Sequence, residues 1–232
     1  MKKIVYFLSA SLLLVNFAFG QLSENLRLYA GGGISQPSES FLLKDFLFEN
    51  QLGQPTSATF DKFWNLGLNI DAGLEYSITP TLGARLGFSY SNFSINDEEV
   101  RSEIRKVLPS VIQIVDFNAN RGTVNIYAVA LSASLQFPLH FITPYLIGGI
   151  GFMHINAEPV EISSINEPQD NSFSFRFPED KADAFMNTGG AGIAVNVSQN
   201  LHPYVEGSYN LGLTEKDNTI YYSARVGMLF DI

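Results

Sequence analysis

Residues Trp64 to Ser77 alternate apolar and polar side chains without a break. The apolar set is Leu66, Leu68, Ile70, Ala72, Leu74 and Tyr76, and the polar or small set is Asn65, Gly67, Asn69, Asp71, Gly73 and Glu75. Successive side chains of a β-strand point to opposite faces, so this pattern predicts a strand with one apolar face and one polar, acidic face. Twelve residues in phase favour a strand that crosses a lipid bilayer and lines a narrow wet lumen over a half-buried strand of a soluble sandwich.

The same alternation recurs along the chain and predicts eight strands. They are Leu26–Ser35, Phe63–Ile78, Leu82–Phe93, Thr123–Phe137, Thr143–Ile155, Ala184–Val197, Pro203–Leu213 and Thr219–Ile232. The connections alternate between long segments (36–62, 94–122 and 156–183, with a brief last one at 214–218) and short turns (79–81, 138–142 and 198–202). We therefore predict an all-β fold, an eight-stranded antiparallel up-and-down transmembrane β-barrel with long extracellular loops, short periplasmic turns and periplasmic termini.

The first twenty residues have the features of an export signal. Lys2 and Lys3 precede an apolar run over residues 4–15, and a small-x-small site ends at Gly20, before Gln21. This order predicts a cleaved signal peptide over 1–20 and a single barrel domain over 21–232. An uncleaved membrane helix is the alternative, but the apolar run is short for a span and no stop-transfer pattern follows.

The charge balance and the absence of cysteine exclude some classes of partner and of stabilising site. Without the two signal lysines the chain carries 12 Lys and Arg against 23 Asp and Glu, a formal net charge of −11. This acidic balance argues against nucleic acid as a partner. The chain has no cysteine, so neither disulfides nor thiolate metal sites hold it together. We expect no cofactor.

Aromatic residues collect at both ends of the predicted strands. Those at the long-loop ends are Phe63, Trp64, Phe88, Tyr90, Phe93, Phe152, Phe185, Tyr221 and Tyr222; those at the short-turn ends are Tyr76, Phe137, Phe141, Tyr145, Tyr204 and Phe230. Two such bands predict aromatic girdles at the two headgroup layers. Aromatic residues of a soluble sandwich would explain their number but not their two-ended distribution.

The long loops differ in character. Segment 38–52 is strongly apolar and predicts either a short helix on the barrel rim or packing against neighbouring loops. Segment 96–108 begins with acidic and ends with basic residues, which predicts a short helix. Alternation within 156–183 predicts that the fifth and sixth strands continue as a hairpin above the membrane.

The polar faces of the strands bring a set of charges into the predicted lumen. They are Arg27, Asp71, Glu75, Arg85, Glu206 and Arg225. Side chains fill the interior of an eight-stranded barrel, so we expect these three bases and three acids to pair. If the turn between the second and third strands centres on Pro80, Glu75 lies opposite Arg85. If the last loop centres between Glu215 and Lys216, Glu206 lies opposite Arg225. The set is either a static network that orders the barrel or a salt-bridge gate of a narrow pore.

Catalytic chemistry has little support in the sequence. His140 and His202 fall in short turns, His154 lies near the end of the fifth strand, and their spacing is not that of a zinc site. No Gly-x-Ser-x-Gly elbow is present. Asp71 and Glu75 are four residues apart on one strand face, and salt bridges suit them better than acid–base catalysis. We expect no enzymatic activity, no catalytic residue and no metal site.

The last eight residues resemble a known C-terminal signal. Arg225, Gly227, Phe230 and Ile232 fit the C-terminal polar-x-Gly-x-x-hydrophobic-x-hydrophobic signal of outer-membrane barrels, with Ile at the end where Phe is usual. With the export signal and the eight strands, the chain resembles the small eight-stranded outer-membrane β-barrel family of OmpA-like, OmpX-like and PorT-like barrels. The resemblance implies location in the outer membrane of a Gram-negative bacterium, insertion by the barrel-assembly machinery with periplasmic chaperones, and contact with outer-membrane lipids and lipopolysaccharide. Because the sequence ends at the eighth strand, we expect no peptidoglycan-binding domain after it.

Members of this broad family serve as surface antigens, adhesins, membrane stabilisers and narrow pores. The first expectation is a non-enzymatic barrel that displays loops 36–62, 94–122 and 156–183 for adhesion or interaction with an unknown extracellular ligand, or that maintains membrane integrity. The alternatives are a narrow channel or hydrophobic-ligand transporter gated by the lumen salt bridges, and an outer-leaflet lipid-modifying hydrolase. A soluble lipocalin-type barrel would place the oily face inward and the charges outside, which the loop asymmetry and the C-terminal signal disfavour.

Overall fold

The computed structural model describes residues 25–38, 45–49, 55–59, 64–107, 116–119, 122–165, 174–177, 180–214 and 218–232. The predicted signal peptide and its cleavage site between Gly20 and Gln21 lie outside the described residues, so that prediction stays a prediction. None of the helices in the described ranges has the length and apolar character of a membrane span.

Eight long antiparallel strands close into a barrel, as the alternation predicts. They are β1 (Leu26–Pro37), β4 (Gly67–Thr79), β5 (Leu82–Ser94), β7 (Thr123–Gln136), β8 (Ile142–Ala157), β11 (Asp180–Val195), β12 (Leu201–Leu213) and β13 (Asn218–Asp231). Each strand pairs with its sequence neighbours in the barrel, and β1 pairs with β13 to close the sheet. Closure removes both sheet edges, which is the condition for a sheet to cross lipid.

The strands are staggered around the barrel. A row of paired residues that starts at Asp183 on β11 passes through β8, β7, β5, β4, β1, β13 and β12. It returns to β11 at Ile193, ten residues from its start. This stagger tilts the strands relative to the barrel axis and leaves an interior that side chains fill.

The outer face of the barrel is apolar. Leu68, Leu131, Ile150 and Val226 are each more than half exposed, on four different strands. In water such a continuous surface would be strongly unfavourable, whereas acyl chains solvate it. The prediction that the oily face of the alternation points outward is therefore confirmed.

The interior has two layers. We call the end with the turns at 80–81, 137–141 and 196–200 the turn end, and the opposite end the loop end. Buried charges fill the lumen towards the turn end. At the loop end the buried apolar residues are Phe93, Val124, Ile126, Ala128, Met153, Ile155, Ala184, Met186 and Tyr221. Small polar residues are buried at the same end on the remaining strands: Ser35, Asn69, Ser91, Asn210, Thr219 and Ser223. The expectation of a polar inner face is thus wrong for the loop-end halves of β7 and β8.

The two aromatic bands are present only in part. Phe88, Phe152, Phe185 and Tyr222 near the loop end, and Phe137, Phe141 and Phe230 near the turn end, are exposed on the outer face as predicted. Five other members of the predicted bands are buried: Trp64, Phe93, Tyr145, Tyr204 and Tyr221. Nearness to a strand end does not determine which face a residue occupies, whereas the period of two does. By that period Tyr204 lies on the same inward face as Glu206.

The long connections contain regular structure. A helix, Asp97–Val107, confirms the helix predicted at 96–108, and Val100 is fully buried. Strands β2 (Asp45–Glu49) and β3 (Pro55–Thr59) form a hairpin, so the helix considered for 38–52 is wrong over 45–49.

A second small sheet contains two strands that lie between the fifth and sixth barrel strands in sequence. Strands β9 (Val160–Ile165) and β10 (Ser174–Phe177) pair antiparallel, which confirms the hairpin predicted within 156–183. Strand β6 (Asp116–Ala119) adds a third strand to this sheet, a pairing that the sequence pattern does not predict.

Candidate functional site

The six charges predicted for the lumen lie in one connected chain. Its order is Arg27, Glu75, Arg85, Glu206, Arg225 and Asp71, and the sign alternates at every step. Asp231 adds a seventh charge, because its Oδ1 accepts a hydrogen bond from Arg27 Nε at 2.7 Å. Because the sign alternates, every residue of this charge chain except the two at its ends contacts an opposite charge on both sides.

Two links of this chain are the predicted cross-strand pairs. Glu75 on β4 is the register partner of Arg85 on β5, and the Arg85 Nε donates to Glu75 Oε2. Glu206 on β12 is the register partner of Arg225 on β13, and Arg225 donates to Glu206 Oε1. These links are local to one hairpin each, because residues opposite each other on one face of a hairpin interact directly. In the first hairpin a register shift between Ser77 and Thr79 contributes to the pairing.

The link between the two pairs crosses the lumen. Arg85 Nη1 donates to Glu206 Oε2 at 2.8 Å, although β5 and β12 are four positions apart in a ring of eight strands and therefore opposite each other. Arg225 Nη1 also reaches Asp71 Oδ2 at 3.5 Å, two strands away. Sequence reasoning does not reach these links, because they depend on barrel closure and stagger rather than on neighbouring strands.

The centre of the charge chain is buried. Glu75 is fully buried, and the side chains of Arg85 and Glu206 are 7% and 3% exposed. Bringing charges into such surroundings costs several kcal/mol per ion unless each is paired and hydrogen-bonded, so loss of one partner costs about 3–5 kcal/mol. The outer links at the turn end are wetter, since the Arg27 and Asp231 side chains are 28% and 33% exposed.

Neutral residues complete the hydrogen bonding of the carboxylates. Gln136 Nε2 donates to Glu75 Oε1 at 2.6 Å, and the Tyr145 hydroxyl donates to Glu206 Oε2 at 3.0 Å. The Arg85 guanidinium also lies over the Tyr145 ring, 4.6 Å from its centroid, where cation–π attraction adds to the ion pairs. The sequence pattern predicts neither of these two contacts, and Tyr145 is buried in the lumen, not exposed in the outer girdle predicted for it.

Two tyrosines pack over inward glycines. A Cβ on Gly73 would lie 2.7 Å from the Tyr29 ring, and a Cβ on Gly227 would lie 2.5 Å from the Tyr204 ring. Any side chain at these two positions would collide with the ring, so glycine is what lets each tyrosine lie flat against the wall. Of the C-terminal signal, Arg225 and Gly227 therefore serve the interior, whereas Phe230 and Ile232 are exposed.

Cavities flank the charge chain. A vestibule of about 320 Å³ at the turn end is lined by Arg27, Glu75, Gln136 and His202, among others. A smaller cavity of about 50 Å³ lies farther in, beside Asp71, Glu206 and Arg225. Arg85 lines both, so its guanidinium stands between them. Towards the loop end lies the layer of buried apolar and small polar side chains.

The histidines lie apart from one another. His154 Nδ1 is 2.7 Å from Asp183 Oδ1 near the loop end, and His202 Nε2 is 3.2 Å from Asp231 Oδ2 at the turn end. His140 is in an exposed turn. Within the described ranges no group of three or more His, Cys, Asp or Glu side chains is arranged to hold a metal ion.

Comparison with known proteins gives a family and several distant relatives. A curated protein of Coxiella burnetii (strain RSA 493 / Nine Mile phase I), described as an uncharacterized protein, is 21% identical over 160 residues. The match covers 67% of this chain and 62% of that protein, so the chain spans less than two thirds of the relative's length.

Three solved structures are similar to the barrel. Neisserial surface protein A (NspA) has a TM-score of 0.48 and 15% identity, covering 89% of this chain and 97% of its own. Ail, the attachment invasion locus protein of Yersinia pestis, has a TM-score of 0.41 and 14% identity, covering 89% and 99%. The N-terminal β-barrel domain of Pseudomonas aeruginosa OprF has a TM-score of 0.39 and 16% identity, covering 90% and 97%.

The profile of the family described as "Outer membrane protein beta-barrel domain" matches residues 7–230. The match spans nearly the whole chain and agrees with the closed eight-stranded barrel. The chain therefore belongs to the outer membrane protein beta-barrel domain family and is a protein of the bacterial outer membrane.

Proposed function

We propose that this protein is a non-enzymatic, closed barrel that holds its loop end at the cell surface for adhesion or interaction. The observation that carries the proposal is the filled interior: the alternating charge chain crosses the lumen through the Arg85–Glu206 link, and buried apolar and small polar side chains lie above it. A barrel filled in this way acts as a rigid support, and binding residues are commonly carried on loops that a rigid scaffold positions.

The regular structure at the loop end supports this proposal. The connections between barrel strands hold the β2–β3 hairpin, the helix Asp97–Val107 and the sheet of β10, β9 and β6. Burial of Val100 on that helix shows that the loop end packs rather than only connecting strands. The extracellular partner would meet the segments 36–62, 94–122 and 156–183.

Conductance tests the closed interior. Purified wild-type protein in planar bilayers is expected to give no current above that of protein-free bilayers. The Glu75→Ala variant removes a carboxylate from the centre of the chain and serves as the comparison. Discrete single-channel steps in the wild type would overturn the closed barrel in favour of a pore.

Loop exchange tests the display role. A variant in which residues 96–122 and 158–179 are replaced by short turns keeps the barrel strands. A difference in gel mobility between its boiled and unboiled samples verifies that it folds. Adhesion of expressing cells to immobilised extracellular-matrix proteins and a glycan array is expected for the wild type and lost for this variant. Equal adhesion by the two proteins, or none by either, would contradict a role for the loops.

A gated channel is the second candidate, because cavities lie on both sides of Arg85. Partner exchange by Arg85 between Glu75 and Glu206 would then join the cavities. Current that appears in Glu75→Ala but not in the wild type would favour this candidate. An outer-leaflet hydrolase is the third, and unchanged lipid A mass spectra after overexpression would count against it.

A further inference from the structure

At the loop end the inward side chains lie at two levels. On four strands, an inward apolar residue or glycine near the loops is followed, one inward position closer to the charge chain, by a small polar residue. The pairs are Gly67 and Asn69 on β4, Phe93 and Ser91 on β5, Gly212 and Asn210 on β12, and Tyr221 and Ser223 on β13. Hydrogen bonds join members of the lower level, as between Asn69 Nδ2 and Ser91 Oγ at 2.8 Å. These four polar residues therefore lie beneath an apolar level.

The upper level extends across the lumen, and we call it the cap. Its members are each at most 2% exposed: Phe93, Val124, Ile126, Met153, Ile155 and Tyr221. The rings of Phe93 and Tyr221 meet with their centroids 5.9 Å apart, although β5 and β13 are three positions apart in the ring of strands. The cap is thus held together by contacts through the lumen and not only along its wall.

Two glycines let the large side chains of the cap cover the remaining wall. A Cβ on Gly67 would lie 2.7 Å from the Phe93 ring, and a Cβ on Gly212 would lie 2.5 Å from Met153 Sδ. Phe93 therefore lies against β4, and Met153 reaches from β8 to β12, two strands away. At these two places a strand that contributes no large side chain to the cap is covered by one from another strand.

The cap and the charge chain obstruct the lumen by different means. The cap is two inward positions deep on β7 and on β8, which is about 7 Å along the strand. An ion at this level would lose its hydration without gaining an opposite charge or a hydrogen-bond partner, and apolar constrictions of this kind exclude ions and water. At the charge chain, by contrast, a movement of the Arg85 guanidinium joins the two cavities that it separates.

We infer that the cap is a barrier to ions in its own right, in series with the charge chain. The lumen is then a dead-end pocket, which small polar solutes enter from the turn end when Arg85 moves and cannot leave at the loop end. This inference rests on the closed interior proposed above and adds which layer keeps it closed. Exchange of partners by Arg85 alone therefore does not produce a pore.

A thiol inside the lumen reports whether each barrier is closed. The sequence has no cysteine, so Ser132→Cys places a single thiol in the wall of the inner cavity. The probe is a small cationic methanethiosulfonate reagent, added to the whole protein in lipid vesicles. The turn-end variant, Glu75→Gln with Arg85→Ala, removes the guanidinium together with the carboxylate that it would leave unpaired. The cap variant is Phe93→Ala with Met153→Ala.

Two barriers in series predict different results for labelling and for current. Either variant alone should label the reporter thiol about a hundredfold faster than Ser132→Cys alone, a factor equivalent to about 2.8 kcal/mol. Neither variant alone should carry current in planar bilayers, whereas the two combined should give discrete channel steps. Phe152→Ala with Met228→Ala is the matched control, because it removes the same two side-chain types from outward positions and should leave labelling unchanged. A difference in gel mobility between boiled and unboiled samples verifies that each variant folds.

Three results would overturn the inference. Current through the turn-end variant would show that the charge chain is the sole barrier. Labelling of the cap variant no faster than that of Ser132→Cys alone would show that the cap does not close the inner cavity. Absence of current from the combined variant would show that a further barrier exists. Current through the wild type would instead contradict the closed interior itself, so failure of the proposed function is distinguishable from failure of the inference.

Discussion

Replacement of Arg85 by methionine tests whether the charge chain stabilises the barrel. Methionine keeps the length and apolar stem of the side chain but removes the guanidinium that bonds Glu75 and Glu206. Glu75 retains Gln136 and the more distant Arg27, whose Nη1 is 3.5 Å away. Glu206 retains Arg225 and Tyr145.

The expected cost follows from burial. Glu75 is fully buried, so the loss of its nearest cation leaves a carboxylate with weaker compensation in dry surroundings. We expect Arg85→Met to lower the free energy of unfolding by about 3–5 kcal/mol. Arg27→Met is the matched control, because Arg27 and its partner Asp231 are partly hydrated; its cost should be on the order of 1 kcal/mol.

The wild type, Arg85→Met, Glu75→Gln and the variant with both substitutions form a double-mutant cycle. The amide removes the uncompensated charge, so the double variant should be more stable than the sum of the single effects by about 1–3 kcal/mol. The assay is urea unfolding in lipid vesicles, followed by the fluorescence of Trp64, which is the one tryptophan and is buried. Additive effects, or equal costs for Arg85→Met and Arg27→Met, would refute the reasoning.

Three further outcomes are expected. Gly73→Val should collide with Tyr29 and lower stability by about 1–3 kcal/mol, whereas Gly148→Ala, with nothing within 4 Å of its Cβ, should leave urea unfolding unchanged. Val100→Asp places a charge in a fully buried position of the loop-end helix, so limited proteolysis should cut residues 97–107 faster while the gel shift of the barrel persists. The wild type in the outer-membrane fraction should change gel mobility on boiling; unchanged mobility would contradict a closed barrel.

The strands and the cross-strand pairs could be predicted because they are local. A period of two over twelve residues defines both faces of β4, and a connection centred on Pro80 predicts Glu75 opposite Arg85. The structure has this register, which it reaches through a two-residue turn and a register shift between Ser77 and Thr79. The helix Asp97–Val107 was predictable in the same way, since its acidic first turn marks a helix N-terminus.

The cross-lumen contacts could not be predicted, because they depend on stagger. A stagger of ten residues around the barrel places Arg85 level with Glu206, and no turn length encodes that value. The apolar layer was missed for another reason. At the loop ends of β7 and β8 both faces contain apolar residues, as Ile126 inside and Val129 outside show, so alternation there does not separate lumen from lipid.

A charge exchange distinguishes a network from a set of pairs. Glu75→Arg combined with Arg85→Glu would preserve an isolated pair, and its register neighbours would remain opposite in sign. Here the exchange puts a carboxylate at position 85, where Arg85 Nη1 now meets Glu206 Oε2 at 2.8 Å, and puts a guanidinium beside Arg27. Two buried like-charge contacts replace two attractive ones, and like charges at such distances cost several kcal/mol where water is excluded. We therefore expect a smaller fraction of the exchanged protein to fold than of the double variant Glu75→Gln with Arg85→Met. The measured quantity is the fraction that runs at the mobility of the folded barrel when the sample is not boiled. Full recovery by the exchange would show that the pairs act separately and that the chain across the lumen contributes nothing.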